Sequence, residues 1–480
     1  MTRGWLYAWG SGSIALGGAS LVVPLYVVAL GGTPLTLGVL AAVAAFVGVP
    51  GALLFGRLAD RTGKRRGVVL GALALVAAML VVIPAVDSIA VVVAANGVVW
   101  FAFAAATPVL TLLAVTDAPE EGWSERIAEL NKFQGVGWAV GLLIGAVWTA
   151  GAAAILGEAA VLRGFLLLSA GCVAAGLLAG VRSVPADPTP EVGHGDQTGR
   201  GGSAPHDGEG RHGEGARSGD GPPPTAPPSP SATRVRRALR EADRFSVRTV
   251  TFPFTVGRAE FRGLHPRRFV ERFTPVLAAY FGAVFLFFAG FAAFFAPLPA
   301  FLTAAGYDSG EVFALYLVSS LAAAACFGLA GRLSAKHDVS LLQAGGLLVR
   351  GVVLPPVAVV GVVVGSATVG FATTAVIFAV IGVTWAVIAV TAGTLVTQLT
   401  PPVVRGEALG MYAALGAFAG GVGSVLGGWL AAASYQLAFG AAGLLVLVGA
   451  GVVLVVRRRS LRERAPGDVT PTTGGERIEV

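Results

Sequence analysis

The sequence predicts an all-α membrane protein with twelve transmembrane helices in two pseudo-symmetric bundles of six. Three observations support this fold class: the composition, the spacing of the apolar runs and the distribution of basic residues. Of the 480 residues, 55% are hydrophobic and only 13% are charged, whereas a soluble domain averages about 25% charged residues. The apolar side chains therefore need surroundings other than water, and a lipid bilayer provides them.

Twelve runs are long and apolar enough to cross the hydrocarbon layer, which takes roughly 20 residues as a helix. The runs show no alternation of polar and apolar residues, so helices are favoured over a β-barrel. We number the runs as spans one to twelve, with approximate bounds 5–30, 34–57, 67–85, 88–114, 132–151, 163–182, 274–302, 309–331, 341–363, 367–397, 406–432 and 436–456.

The basic residues predict how the spans are oriented. If both termini are cytoplasmic, Arg163 is the single basic residue in the outer connections, and nearly all the others lie on the inner side. Lys and Arg accumulate in cytoplasmic loops of membrane proteins. The sequence therefore predicts cytoplasmic N- and C-termini, and a count wrong by one span would scatter the charges over both faces.

Composition divides the chain into two bundles, 1–183 and 273–458, and a cytoplasmic tail, 459–480. Between the bundles, 184–233 is rich in Gly, Pro, Ser and charge, which predicts a disordered cytoplasmic linker. Residues 234–272 carry eleven Arg and a net charge of +7, which predicts a juxtamembrane segment that binds anionic lipids. Nucleic acid is not expected as a partner, because no recognition module accompanies these charges.

Short matches relate the two halves of the chain. The stretch "GRLADR" at 56–61 ends span two, and "GRLSAK" at 331–336 ends span eight. In the same order, "GVVW" at 97–100 in span four matches "GVTW" at 382–385 in span ten. The halves are therefore expected to repeat one structure.

The stretch "GRLADRTGKRR" at 56–66 interrupts the apolar pattern, and it predicts a tight cytoplasmic turn between spans two and three. Gly56 and Gly63 allow helix ends to approach closely and to turn. Asp60 can accept hydrogen bonds at the N-terminus of a neighbouring helix. A basic loop that only fixes orientation is the alternative, but charge alone does not require the glycines and the aspartate.

The pattern G-x-L-A-D-R-x-G-K-R resembles the signature loop of the major facilitator superfamily. In the second half only Gly331, Arg332 and Leu333 of the pattern remain, and Ala335 stands where Asp60 stands in the first half. The resemblance implies two six-helix bundles that rock about a central site lined by spans one, four, seven and ten. It also implies a cytoplasmic latch in the outward-facing state, formed by Gly56, Asp60, Arg61, Gly63 and Arg65 with Arg405 and Gly406 at the start of span eleven.

Polar and aromatic residues on the spans that would line the cavity are candidates for substrate binding, since polar side chains avoid lipid. The candidates are Asn96, Trp100 and Thr107 on span four, Phe285 and Phe288 on span seven, and Thr384, Trp385, Thr391 and Gln398 on span ten. Hydrogen bonds between helices and aromatic side chains that face lipid are the alternative interpretation.

Arg350 is the intramembrane charge, about ten residues or roughly 15 Å into span nine. This depth is too great for its head group to reach the interface, so the side chain is expected to face protein or water. Because span nine does not normally line the cavity, a structural hydrogen-bonding role is favoured over a role with substrate or protons.

Spans one, four and seven have no central Asp, Glu, Lys or Arg, so the sequence predicts an uncharged aromatic cavity. Such a cavity favours a neutral or cationic, hydrophobic or amphiphilic substrate. We therefore predict a secondary active transporter that exports such a compound by alternating access, as a monomer in a prokaryotic plasma membrane. No cofactor or metal is expected. The coupling ion is open, and a proton is suggested by the resemblance alone.

Two alternatives remain open at this point. One is a uniporter or importer of small polar solutes such as sugars. The other is a membrane sensor or scaffold that does not transport and acts through the central insert, 184–272. An enzyme is disfavoured, because the sequence shows no nucleophile–base pair, phosphate loop or metal constellation.

Overall fold

The computed structural model describes residues 4–62, 64–115, 123–153, 155–185, 274–363, 367–401 and 405–464. The first half contains six helices: α1 (Gly4–Ala29), α2 (Pro34–Thr62), α3 (Arg65–Val82), α4 (Ile89–Val115), α5 (Trp123–Ala152) and α6 (Glu158–Ser183). The second half contains α7 (Pro275–Phe295), α8 (Leu298–Ala304), α9 (Ser309–Lys336), α10 (Val339–Val353), α11 (Val357–Val363), α12 (Ala367–Leu399), α13 (Arg405–Ala433) and α14 (Tyr435–Arg464).

The all-helical fold with twelve spans is confirmed. Within the described ranges, twelve segments are long and apolar enough to cross a membrane. Span seven comprises α7 and α8, and span nine comprises α10 and α11. Prolines stand at both interruptions, Pro297 in span seven and Pro355 and Pro356 in span nine, where the missing N–H removes a helical hydrogen bond.

Several helices extend beyond the predicted bounds. Helix α2 continues to Thr62, so most of the turn predicted at 56–66 is helical and the connection to α3 is residues 63–64. Helix α5 begins at Trp123 rather than near 132, and α14 continues to Arg464. The physical reason is that an apolar run marks the part of a helix inside the bilayer, whereas Arg, Lys, Leu and Ala also favour helix outside it.

The two halves repeat one packing arrangement. In the first half, α1 packs on α5 and α6, α2 packs on α4, and α3 packs on α4 and α6. The equivalent pairs of the second half are α7 with α13 and α14, α9 with α12, and α10 with α12 and α14. The predicted pseudo-symmetry is therefore present at the level of helix neighbours.

A matched pair of helix ends extends this symmetry to single residues. Gly31 after α1 and Gly306 after α8 both have positive φ, 83° and 91°. At each site, the glycine N–H and the following N–H bond to the last helical turn in the Schellman arrangement, for example Gly32 N to Val27 O at 2.8 Å. Glycine adopts this left-handed conformation without a steric penalty. Both spans therefore end at equivalent left-handed glycines.

Candidate substrate cavity

A cavity of about 700 Å³ lies between the two halves. Helices α1, α2, α4 and α5 line it on one side, and α7, α8, α9, α10, α12 and α13 line it on the other. This volume is in the range of small-molecule binding sites. We call the end of the molecule with the α1–α2 connection, 30–33, the outer end, and the opposite end the inner end.

The wall from the first half is built mainly on α4 and α5. Three of the predicted residues, Asn96, Trp100 and Thr107, line the cavity from one face of α4. The Trp100 ring lies 6.3 Å from that of Trp138 on α5 and 6.2 Å, edge to face, from that of Phe103. This wall is an aromatic surface with a few polar groups.

The wall from the second half is also aromatic. The predicted residue Trp385 of α12 lines the cavity, and its ring lies 6.0 Å from that of Phe291 on α7 in an edge-to-face arrangement. Phe295 and Tyr316 continue this wall toward the outer end, with ring centroids 6.2 Å apart. Both halves therefore present rings to the same space.

Arg350 lines the cavity, although α10 and α11 contribute no other lining residue among those described. Its side chain is 2% exposed. Its Nη1 donates to the carbonyl oxygen of Ile381 at 2.9 Å and lies 3.5 Å from Oγ1 of Thr384. The expected structural hydrogen bond is present, but the expectation that span nine stays away from the cavity is wrong. The long side chain reaches between neighbouring helices to the cavity.

The ring of Phe291 lies against the Arg350 guanidinium, 4.3 Å from Cζ to the ring centroid. The ring centroids of Phe295 and Trp385 lie 5.6 Å and 5.7 Å from the same Cζ atom. Rings within about 6 Å attract a cation through their quadrupoles. The Nε–H of Arg350 is buried and has no hydrogen-bond partner.

Lys132 of α5 is a second cation at the cavity wall. The prediction of an uncharged cavity is therefore wrong. The described lining residues include Lys132 and Arg350 and no Asp or Glu. Lys132 escaped notice because it lies at the predicted start of span five, whereas α5 begins nine residues earlier and carries it along the wall.

The two phenylalanines predicted on span seven do not line this cavity. Phe288 is buried inside the second half, where its ring lies 5.9 Å from those of Phe291 and Tyr412. Phe285 packs 6.2 Å from Phe418 of α13. Helical spacing groups residues on a face, but it cannot tell whether that face meets a cavity or another helix.

Three polar residues predicted on span ten also lie away from the cavity lining. Thr384 and Thr391 donate their hydroxyls to carbonyl oxygens of their own helix, Val380 O at 2.9 Å and Val387 O at 2.7 Å. Gln398 is exposed near the inner end of α12. Threonine satisfies its hydroxyl locally in this way, so its presence in a span does not require a polar partner or a ligand.

The halves meet at the outer end through two symmetry-related helix pairs, α2 with α13 and α5 with α9. A Cβ added to Gly428 of α13 would lie 2.6 Å from the carbonyl oxygen of Pro34 at the start of α2. In the other pair, Gly145 of α5 lies against Phe313 of α9, and beside it Ser309 Oγ of α9 donates to Glu158 Oε1 at the start of α6 at 3.2 Å. These contacts close the outer end of the cavity.

The latch predicted from the resemblance remains a prediction. Arg65 begins α3 and is partly buried. Gly63 lies outside the described residues. For the remaining latch residues the structure describes only the backbone, in α2 and at the start of α13: Gly56, Asp60, Arg61, Arg405 and Gly406.

The central insert stays a prediction as well. The linker at 184–233 and the basic segment at 234–272 lie outside the described residues except for Val184 and Pro185. The boundaries of these regions and the binding of anionic lipids are therefore untested by the structure. The same holds for the tail beyond Arg464.

The sequence matches the profile of the Major Facilitator Superfamily over residues 8–420. The chain belongs to this superfamily. This major facilitator protein is therefore a multi-pass membrane transporter whose substrates are small molecules. No curated protein matches its sequence significantly.

Solved structures of superfamily transporters share the fold. The nucleoside transporter NupG has 13% identity and a TM-score of 0.60, covering 96% of this chain and 99% of that one. An inward-facing, occupied bacterial homologue of the human lysosomal transporter Spinster has 14% identity and a TM-score of 0.65, covering 97% of both chains. A mutant of the peptide transporter POT has 13% identity and a TM-score of 0.64, covering 96% and 94%. At these identities the likeness concerns the fold alone.

Proposed function

We propose that this major facilitator protein is a secondary active transporter that carries an amphiphilic small molecule through its central cavity by alternating access. The observation that carries the proposal is a cavity between two repeated halves that is closed at one end by two symmetry-related contacts. A rocking motion that separates α2 from α13 and α5 from α9 opens that end. The same motion brings the halves together at the inner end.

The distribution of Lys and Arg in the sequence indicates which side of the membrane the closed end faces. Because cytoplasmic loops attract Lys and Arg, the outer end faces away from the cytoplasm in our proposal, and the structure corresponds to an inward-facing state. In the opposite state, Asp60 and Arg61 meet the start of α13 near Arg405 and Gly406. This contact is the cytoplasmic latch.

The cavity lining supports an amphiphilic substrate. Trp100, Trp138, Phe291 and Trp385 provide an apolar, aromatic surface, and Asn96 adds a polar group. The two cations in the lining disfavour the cationic substrates that the sequence suggested. Export is the proposed direction, because an amphiphile that dissolves in the inner leaflet or the cytoplasm reaches a cavity that opens inward.

Transport by the purified protein in liposomes tests the proposal. The panel comprises neutral and anionic aromatic amphiphiles, sugars and nucleosides, each measured with and without a proton gradient. We expect saturable flux of an amphiphile, and a dependence on the gradient identifies proton coupling. Saturable flux of a sugar or a nucleoside alone would instead favour the importer of polar solutes, and absence of flux for the whole panel would contradict the proposal.

Deletion of 187–231 separates a transporter from a scaffold. The deletion shortens the cytoplasmic linker and leaves every described helix intact. A transporter keeps its flux in liposomes, whereas a sensor or scaffold that acts through the insert keeps its helices and loses its cellular activity. Loss of flux with normal thermal unfolding would contradict the expectation that transport does not need the insert.

Replacement of Asp60 by Ala tests the latch. We expect Asp60→Ala to weaken the outward-facing state, so that the cavity is reached less from outside. Alkylation of a single cysteine at Ser20, which lines the cavity, measures this with a membrane-impermeant reagent in intact cells. Asp87→Ala, at the outer end, is the matched carboxylate control. Equal labelling of the Asp60→Ala protein and the parent would contradict the latch.

A further inference from the structure

We propose that the transported amphiphile is an organic anion and that Arg350 binds its anionic group. The proposal rests on the proposed function and assigns the charge of the substrate. It concerns a carboxylate or sulfonate carried by an aromatic or acyl body. The argument uses the burial of Arg350, its partners and the charge of the cavity wall.

Arg350 is a buried cation with neutral protein partners. It is 2% exposed, about eleven residues into the span that begins at Val339, which places it near the middle of the bilayer. Its described hydrogen bonds go to Ile381 O and Thr384 Oγ1, both uncharged. A buried charge is costly unless it is paired, and intramembrane charges are found with a counter-charge or in a water-filled cavity.

The cavity wall supplies no counter-charge among its described residues. Lys132 on the opposite half is a second cation, and neither Asp nor Glu is present in the described lining. An anion that enters this space gains attraction from both cations, whereas a cation is repelled by both. The counter-charge that Arg350 lacks is therefore one that a substrate can bring.

The guanidinium has donors left for such a group. Its described hydrogen bonds use Nη1 alone, and the buried Nε–H has no partner. Arginine presents its donors in a planar fork that matches a carboxylate or a similar oxyanion. The bond to Ile381 O and the ring of Phe291 at 4.3 Å hold the fork in one orientation.

The rings around Arg350 explain why the ligand also needs an apolar body. Phe291, Phe295 and Trp385 lie within 6 Å of the guanidinium and line the cavity. They stabilise the cation when no anion is bound. The same rings contact the apolar part of a ligand whose anionic group is at Arg350, so a small inorganic anion would leave most of the 700 Å³ unfilled.

Binding of two charge-matched probe series to the purified protein in nanodiscs tests this inference. The first series is 2-naphthylacetate, 2-naphthylacetamide and 2-naphthylethylamine, and the second is dodecanoate, dodecanamide and dodecylamine. Within a series the body is constant and the head group is anionic, neutral or cationic. Calorimetric titration is expected to show the anion bound at least about tenfold more tightly than the amide, as charged hydrogen bonds predict, and the amine bound most weakly.

The two series distinguish the source of the anion. Preference for 2-naphthylacetate indicates a substrate taken from water, and preference for dodecanoate alone indicates one taken from the lipid phase. Equal binding of anion and amide in both series overturns the proposal, and so does binding of none of the six probes. This comparison uses the unmodified protein and does not depend on any variant folding.

Substitutions then assign the preference to Arg350. Arg350→Gln is expected to abolish the advantage of the anion over the amide, and Arg350→Lys is expected to retain part of it. Lys336→Gln, at the exposed end of α9 and outside the cavity lining, is the matched control and should keep the preference. Lys132→Gln should lose part of it, because Lys132 also attracts the anion. Thermal unfolding verifies that each variant is folded. A folded Arg350→Gln protein that still prefers the anion contradicts the assignment.

The outcomes separate this inference from the proposed function. If liposomes transport a neutral compound and the cysteine at Ser20 changes accessibility with it, but no probe shows an anion preference, only the inference fails. If no compound is transported and the accessibility of that cysteine never changes, the transporter proposal fails. Anion binding by Arg350 without flux supports the site and contradicts transport.

Discussion

Asp338 shows how one side chain joins two helices at the inner end of the second half. Its Oδ1 accepts hydrogen bonds from the backbone N–H groups of Ser340 and Leu341, which caps α10. Its Oδ2 accepts from Nε of Arg457 on α14 at 2.8 Å. Partial burial raises the pKa of Asp338, but the bonds from Arg457 and the two amides outweigh it, so the pKa is lowered overall.

Replacement of Asp338 separates the cap from the ion pair. We expect Asp338→Ala to lower the free energy of unfolding by about 1 kcal/mol, because α10 loses its cap. Asp338→Asn keeps a capping oxygen and loses the charge, so it should cost less. Thermal unfolding in detergent measures both. Equal losses for the two variants would contradict a separate contribution of the cap.

The lowered pKa of Asp338 predicts a pH dependence. Because the pKa of the folded state lies below that of the unfolded chain, the stabilisation is fully present above about pH 4. It is lost as the pH falls through the folded-state pKa. Unfolding measured at acid pH should therefore show a smaller difference between Asp338→Asn and the parent protein than at pH 7. A difference independent of pH would contradict this.

The cavity residues show what single positions reveal in a sequence. Asn96 and Trp385 were predicted for the cavity lining because polar and amphipathic side chains are conspicuous in an apolar run, and the structure places both there. Thr391 satisfies the same criterion but bonds to its own helix. Lys132 was missed because it lies at the edge of an apolar run. Sequence reveals the side-chain chemistry, and the packing decides which space it faces.

Helix crossings in this protein depend on glycine. On α1 and α5, a Cβ added to Gly17 would lie 2.7 Å from Cα of Trp138, and one added to Gly141 would lie 2.9 Å from the backbone nitrogen of Gly18. Helices α7 and α13 cross equivalently, with Gly423 and Gly427 against α7. Small residues at such crossings allow backbones to approach closely. The crossing therefore fixes the position of α5 between the two halves.

An added methyl group at the α1–α5 crossing should destabilise the first half. We expect Gly141→Ala to lower the free energy of unfolding by about 1–3 kcal/mol, as overpacking does. Gly171→Ala on α6 is the matched control, since an added Cβ there meets nothing within 4 Å, and alanine favours helix by about 0.5–1 kcal/mol. Thermal unfolding of the two variants should move in opposite directions. A neutral Gly141→Ala would contradict a tight crossing.

The number and type of elements could be predicted almost completely, and their ends could not. Apolar length marks each membrane crossing because the bilayer imposes it. The helical continuation of α2 through Arg57 to Thr62 obeys helix propensity instead, and no apolar signal reports it. The breaks in spans seven and nine occur at prolines inside continuous apolar runs. Hydropathy alone therefore does not predict them.

At the scale of the whole molecule, the outer contact should control the equilibrium between the two states. A Cβ added to Gly38 would lie 3.1 Å from Cα of Gly428 and closer still to the carbonyl oxygen of Ser424. We expect Gly38→Val to prevent closure and to raise alkylation of a cysteine at Ser20 from outside several-fold. The assay uses intact cells and a protein with Cys172 and Cys326 replaced by Ala.

Gly440→Val on α14 is the matched control, because an added Cβ there meets nothing within 4 Å. It should leave the labelling unchanged. Transport by Gly38→Val should fall, because a carrier held in one state cannot complete its cycle. Unchanged labelling of a folded Gly38→Val protein would show that this contact does not close the cavity.

The apolar runs, the central linker and the internal matches were sufficient to predict two repeated halves. The state of the molecule was beyond the sequence, because it depends on backbone approaches such as that of Gly38 to Ser424. The cavity charge was beyond it as well, since Arg350 reaches the cavity from a span that was not expected to line it.

The backbone contact between Gly38 and Gly428 has an energetic consequence. Where Gly38 meets Gly428 and Ser424, the seam consists of main-chain atoms, so parting it at this point releases few side-chain rotamers. Separation at this point requires little side-chain rearrangement, which keeps the cost of opening the contact low.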